Sequence, residues 1–194
     1  KLVGKLLPQR PTRLALYALA ISLVVSALIG ITVILLGDFD ETEMKVLATA
    51  GMVAGFSILS LPSLFHWERS RYKYFTRVGV FASLLFFAMV LFVIWGGGLM
   101  SGEEFGKTLG TFGVVAFASN HALLVLIARP SRVFIRLCQW GTIAVIGIVG
   151  TILLGAIWTG ELAEPIMRIL GTFAVLDALG TVAVPILVRI SRSS

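Results

Sequence analysis

The sequence predicts an all-α polytopic membrane protein: six transmembrane helices built as three parallel two-helix repeats with approximate threefold pseudo-symmetry. Composition is the first reason. Of 194 residues, 58% are hydrophobic and only 13% charged, with a mean hydropathy of +0.99, too apolar for a water-soluble domain. The second reason is that six apolar windows can be drawn, each near the roughly 20 residues that a hydrocarbon core about 30 Å thick requires. The third is an internal repeat. Lys45–Gly51, Lys107–Gly113 and Arg168–Ala174 align without gaps, and Arg13, Arg77 and Arg136 each stand four residues before an aromatic ring, at Tyr17, Phe81 and Trp140. The repeat units are 13–70, 77–132 and 136–192, within a single transmembrane domain 1–194.

The first span, Leu14–Leu36, follows a basic segment with Lys1, Lys5 and Arg10. It is too long for a signal peptide, has no small-residue cleavage site and belongs to the repeat, so a permanent helix is expected. The second, Val46–Phe65, follows the acidic turn Asp38 to Glu43 and contains Pro62, which should kink its end. The third, Val78–Trp95, is apolar on every face from Val80 to Ile94, which excludes the alternating pattern of a β-barrel strand. The fourth, Thr108–Ile127, follows Glu103 and Glu104. The fifth, Val133–Trp158, carries a tryptophan near each end, and the sixth, Ile166–Val188, contains Asp177 and Pro185. Gly96, Gly97 and Gly98 follow a helix rather than a strand and read as helix termination, not as a phosphate loop.

Charge is sorted by side. The segments before the odd spans and after the last one carry 13 basic residues, against Lys45, Lys107 and Arg168 in the other turns. The positive-inside rule therefore predicts both termini on the cytoplasmic, or equivalent inner, side. The acidic residues Asp38, Asp40, Glu41, Glu43, Glu103, Glu104, Glu161 and Glu164 fall in the outer turns, several at the starts of even helices where they complement the helix dipole. This sorting explains the net charge of +6 without nucleic acid as a partner. The expected partners are membrane lipids and other membrane-protein subunits, and the oligomeric state is not encoded in any recognisable pattern.

Three sets of residues stand out. Asp177 lies twelve residues from both Pro165 and Arg189, where an ionised carboxylate costs about 2.5–3.5 kcal/mol on insertion scales. It reads either as a proton- or cation-coupling site or as a protonated carboxyl bonded to a hydroxyl such as Ser57 or Thr181. Asn120 and His121 form the polar cluster of the middle unit. Their readings are a proton relay, a pigment or haem ligand through His121, or an interhelical hydrogen bond. Together Asp177, Asn120 and His121 are the candidate intramembrane polar site.

Lys45, Lys107 and Arg168, with Thr49, Thr111 and Thr172 one turn further on, would form an outer basic and hydroxyl ring. It reads as an anion mouth or, alternatively, as snorkelling cations with threonines bonded to their own helices. Ala48/Gly51, Gly110/Gly113 and Gly171/Ala174 are small residues three apart, expected at helix contacts. Cys138 is the single cysteine, so no intrachain disulfide forms. The acidic turn lacks the pattern of a calcium loop, no catalytic motif occurs, and no enzyme activity, metal or cofactor is expected. These features point to a non-catalytic integral membrane subunit or scaffold of a larger membrane complex. The alternative is a small channel or transporter with a polar pathway through Asp177, Asn120 and His121.

Overall fold

The computed structural model describes residues 11–67, 72–96 and 102–193. Lys1, Lys5, Arg10, Arg69, Arg71, Gly97 and Gly98 lie outside the described residues, as do the side chains of Arg13 and Arg192. The chain forms six helices, α1 (Pro11–Leu36), α2 (Glu41–Trp67), α3 (Lys73–Trp95), α4 (Glu103–Val125), α5 (Val133–Thr159) and α6 (Glu164–Ser193). All six are long and apolar enough to cross a membrane. The shortest has 23 residues and the longest 30, or about 35 and 45 Å at 1.5 Å per residue.

The even helices begin earlier than hydropathy suggests, α2 at Glu41 rather than Val46 and α4 at Glu103 rather than Thr108. The added turns are polar but well capped. Asp40 Oδ1 accepts the Glu43 backbone N–H at 2.7 Å, and Glu43 Oε2 accepts the Phe39 N–H at 2.7 Å. This reciprocal arrangement satisfies donors orphaned at the start of α2 and resembles a capping box. Two carboxylates of the acidic turn are thereby engaged in starting a helix. Phe39 adopts a left-handed φ of 58° to make the corner, and Gly160 ends α5 with a φ of 73°.

Packing is mainly between helices consecutive in the chain. Each odd helix pairs with the even helix after it, α3 also packs on α2, and α5 also packs on α4. The even helix α4 adjoins α2 and touches α6 lightly. A closed threefold bundle would bring α6 against α1 or α2, and among the described residues neither approach occurs. The helices form an open row instead. α1 presents bulky Ile21, Val25, Leu28 and Leu35 outward, with Ala18, Ala27 and Thr32 exposed among them.

The interior mixes polar and small side chains with larger apolar ones, Leu123, Val125, Ile146 and Val184 among them. Ser57, Ser60, Ser63, His66, Thr76, Ser83, Asn120, Gln139 and Thr142 are buried, while large apolar side chains such as Phe81, Phe134 and Leu179 are exposed. Soluble proteins show the reverse. Close approach is concentrated at a few glycines. A Cβ at Gly79 of α3 would lie 2.9 Å from Ser63 Oγ of α2 and 3.4 Å from Ser119 Cβ of α4, so this residue lets three helices meet. Gln139 of α5 is a further fastening, donating 2.9 Å hydrogen bonds to the carbonyls of Val125 and Ala128 where α4 ends. Those carbonyls belong to the terminal groups a helix leaves unpaired.

Candidate functional site

The candidate polar site divides on α4. Asn120 and His121 are consecutive and so point about 100° apart around a helix of 3.6 residues per turn. Asn120, 1% exposed, turns toward α2 and α3. Its Oδ1 accepts a short hydrogen bond from Ser63, and its Nδ2 donates to Ser83 Oγ at 2.9 Å and to the Ala116 carbonyl at 2.8 Å. Ser83 donates onward to the Gly79 carbonyl at 2.7 Å. Both amide protons and the amide oxygen are engaged, so Asn120 is the hub of a three-helix junction.

His121 turns the other way, toward α6. Its Nε2 lies 2.9 Å from Thr181 Oγ1, its Nδ1 lies 3.5 Å from Asp177 Oδ2, and Thr181 Oγ1 donates to Asp177 Oδ1 at 3.3 Å. Because the threonine proton is directed to the carboxylate, His121 Nε2 must donate to the hydroxyl. Nδ1 then faces Asp177. Both side chains are mostly buried, and the edge of Phe117 closes on the imidazole at 5.7 Å between ring centroids. Thr181 is one of the hydroxyls the sequence offered to Asp177; the other, Ser57, instead bonds Ser22 of α1 at 2.9 Å.

The triad stands between cavities. One of about 220 Å³ is lined by Phe117, Ala118, His121, Val149, Leu153 and Asp177. Another, of about 520 Å³, is lined by Leu124, Ala128, Thr181 and Pro185 and reaches Arg129 and Arg189 at the basic end. Among the described residues no group of three or more histidine, cysteine, aspartate or glutamate side chains could hold a metal ion.

The basic and hydroxyl residues occupy a local motif that recurs three times. Lys45, Lys107 and Arg168 pair with Glu41, Glu103 and Glu164, the acids four residues earlier on the same helix, at 2.6, 2.7 and 2.6 Å. Thr49, Thr111 and Thr172 donate to the carbonyls of those basic residues at 2.7, 2.8 and 2.9 Å. Each cation is thus paired with an acid on its own helix. The acid at i, base at i+4 and threonine at i+8 are visible in the sequence, and that spacing is the signal that could have assigned the salt bridges.

Two of the threonines make a further contact. The Trp95 indole of α3 donates to Thr49 Oγ1 at 3.0 Å, and the Trp158 indole of α5 donates to Thr111 Oγ1 at 3.1 Å. Among the described residues no indole reaches Thr172, which is exposed. Its neighbour Arg168 has a side chain 79% exposed, against 29% for Lys45 and 18% for Lys107. The small residues divide differently, with the middle unit alone in close contact. A Cβ at Gly110 would meet Ile157 at 3.1 Å and one at Gly113 would meet Phe86 at 2.9 Å, whereas Gly51 and Gly171 have nothing within 4 Å. Ala48 and Ala174 are both exposed. Gly110 and Gly113 lie close to side chains of neighbouring helices, whereas Gly51 and Gly171 face open space.

His66 lies in the last turn of α2. It is buried, with Nδ1 donating to the Pro62 carbonyl at 3.0 Å. No family model matches the chain, and no curated protein or solved structure is significantly similar to it.

Proposed function

We propose that the chain is a non-catalytic integral membrane subunit, a scaffold whose three equivalent hairpins leave one helix-binding surface open for a partner in a larger membrane complex. The threefold pseudo-symmetry enters as equivalence of the units, with the ring unclosed. The basic ends of the helices lie on the cytoplasmic or equivalent inner side, following the charge sorting. The observation that carries this reading is the vacant third indole position. The surface that receives Trp95 at Thr49 and Trp158 at Thr111 recurs at Thr172 uncovered, beside an open Gly171 and an exposed Ala174. Small residues around a hydroxyl favour a helix over lipid, because backbones approach closely there. α1 ends in Leu35 and Leu36 and offers no indole, so the expected partner is a helix with a donor at its outer end.

Gly171→Leu is expected to leave the subunit folded, shifting its stability by no more than about 0.5 kcal/mol, as for a substitution away from any contact. The same variant should release the partner in native mass spectrometry of the endogenous assembly in mild detergent. Retention of the partner by Gly171→Leu, or a wild-type chain that emerges alone, would overturn the scaffold reading.

The second reading, a small proton-coupled transporter or channel, is favoured by one observation: His121, Asp177 and Thr181 bridge two cavities at mid-bundle. Intramembrane ionisable pairs commonly mark proton relays. In proteoliposomes, Asp177→Asn is expected to abolish proton-dependent flux while leaving expression unchanged. Unaltered flux and pH dependence would exclude the relay.

A further inference from the structure

We infer that the basic end of the α2/α3 pair is a specific site for one anionic phospholipid, with its phosphate between Lys73 and Arg77 and an acyl chain along α3. The inference rests on the membrane setting proposed above and is independent of the scaffold and relay readings. It starts from a cavity of about 200 Å³ lined by His66, Trp67, Lys73, Thr76 and Arg77. Thr76 is 2% exposed, and its Oγ1 has no hydrogen-bond partner. A buried hydroxyl without a partner costs about 1–3 kcal/mol, so such groups call for a reason. Elsewhere in this chain Thr49, Thr111, Thr142 and Thr172 bond back to the carbonyl four residues earlier. Thr76 does not, and its hydroxyl is left for a ligand in the cavity it lines.

The cavity is cationic. Among the described residues neither Lys73 nor Arg77 has a carboxylate partner, whereas Lys45, Lys107 and Arg168 are all paired. Two cations without a carboxylate partner among the described residues, beside a hydroxyl donor, suit a phosphate, which presents several acceptor oxygens and which guanidinium binds in bidentate fashion. An inorganic phosphate and a lipid headgroup share that chemistry, and the neighbouring surface selects the lipid. A second, almost wholly apolar groove of about 500 Å³ shares Trp67 and Arg77 with the cavity and continues along Val80, Phe81, Leu84 and Ala88. From Arg77 to Ala88 the helix rises about 16 Å at 1.5 Å per residue, close to half of a hydrocarbon core about 30 Å thick. The groove thus has the depth of a single leaflet and begins where the phosphate would sit. The exposed Trp67 marks the level of the headgroups, where tryptophan is enriched.

The test uses the full chain released from nanodiscs of phosphatidylcholine with a minor fraction of phosphatidylglycerol, followed by native mass spectrometry. One phosphatidylglycerol per chain is expected, enriched about tenfold over phosphatidylcholine for the loss of one charge-assisted contact set. Enrichment should disappear in Lys73→Gln/Arg77→Gln, which removes the cations, and in Leu84→Trp, which fills the groove. Thr76→Val gives an independent readout that does not require a damaging change. It should raise the melting temperature in phosphatidylcholine, where the hydroxyl is unpartnered, and reduce the stabilisation by phosphatidylglycerol; a merely structural threonine would lose stability in both lipids.

Equal retention of the two lipids, or enrichment that survives Lys73→Gln/Arg77→Gln, would overturn the site. Displacement of the lipid by inorganic phosphate, with Leu84→Trp still binding phosphate, would show a soluble anion as the ligand and overturn the lipid assignment. Carbonate extraction of native membranes reads the membrane setting separately: a chain released by carbonate would fail that premise, whereas a retained chain without lipid preference would fail this inference alone.

Discussion

Asn120→Leu is expected to destabilise the junction of α2, α3 and α4 by about 2–4 kcal/mol. Two terms make up that figure. Interhelical polar contacts contribute about 0.6 kcal/mol on average and up to about 1.7 kcal/mol each, and Asn120 makes one to Ser63 and one to Ser83. Its removal also leaves buried polar groups unpaired, at about 1–3 kcal/mol per group. Ser83 retains its bond to the Gly79 carbonyl, so the larger share falls on Ser63, which is completely buried and has no other described partner for its hydroxyl proton. Unfolding monitored by circular dichroism during titration of mixed micelles with a denaturing detergent would measure the loss. Ser83→Ala, which removes the bonds to Asn120 and to the Gly79 carbonyl, should cost about 1–3 kcal/mol in the same assay. An Asn120→Leu chain as stable as wild type would remove Asn120 from its structural role and return it to the list of candidate functional groups.

Gly180→Leu should detach α6. A Cβ at this position would overlap Thr142 of α5, meeting Oγ1, Cγ2 and Cβ all at or below 3.0 Å. Thr142 is buried and tethered by its own 3.0 Å bond to the Cys138 carbonyl, so it has no easy way to yield. Overpacking usually costs about 1–3 kcal/mol, and the effect here should lie at the upper end because the remaining leucine atoms must also be placed. The consequence is larger than the energy suggests. α6 packs extensively on α5 alone and touches α4 only lightly, so displacement from α5 separates Asp177 and Thr181 from His121. Cysteine crosslinking between α4 and α6, in parallel with melting temperature, would read both events. Efficient crosslinking in Gly180→Leu at an unchanged melting temperature would show that α6 is held by something other than the Gly180 crossing.

These two residues show where sequence reasoning reached and where it stopped. Asn120 stood out as a polar residue in an apolar span, but nothing local distinguished it from His121, one position away. The helical twist sends adjacent side chains to different neighbours, so a cluster in sequence became two sites in space. Gly180 did not stand out because it falls outside the repeated small-residue pairs, and the crossing that requires it depends on where α5 lies. Gln139 and His66 were missed for the same reason: their partners are carbonyls, present at every residue and therefore without a sequence signature. Conversely, the acid, base and threonine spaced four apart were fully local, and their salt bridges and back-bonds needed no tertiary information.

By itself, the sequence determined the six helices of the described residues, their approximate ends and the three local acid, base and threonine motifs, because spanning length, apolar composition and i, i+4 spacing are local quantities. Only the tertiary structure decided which helices adjoin, that the row stays open beside α6, and that His121 meets Asp177 while Asn120 does not. Those outcomes depend on the rotation and crossing of each helix. In an apolar solvent these are governed by a few glycines and hydroxyls rather than by an amphipathic face that hydropathy could reveal.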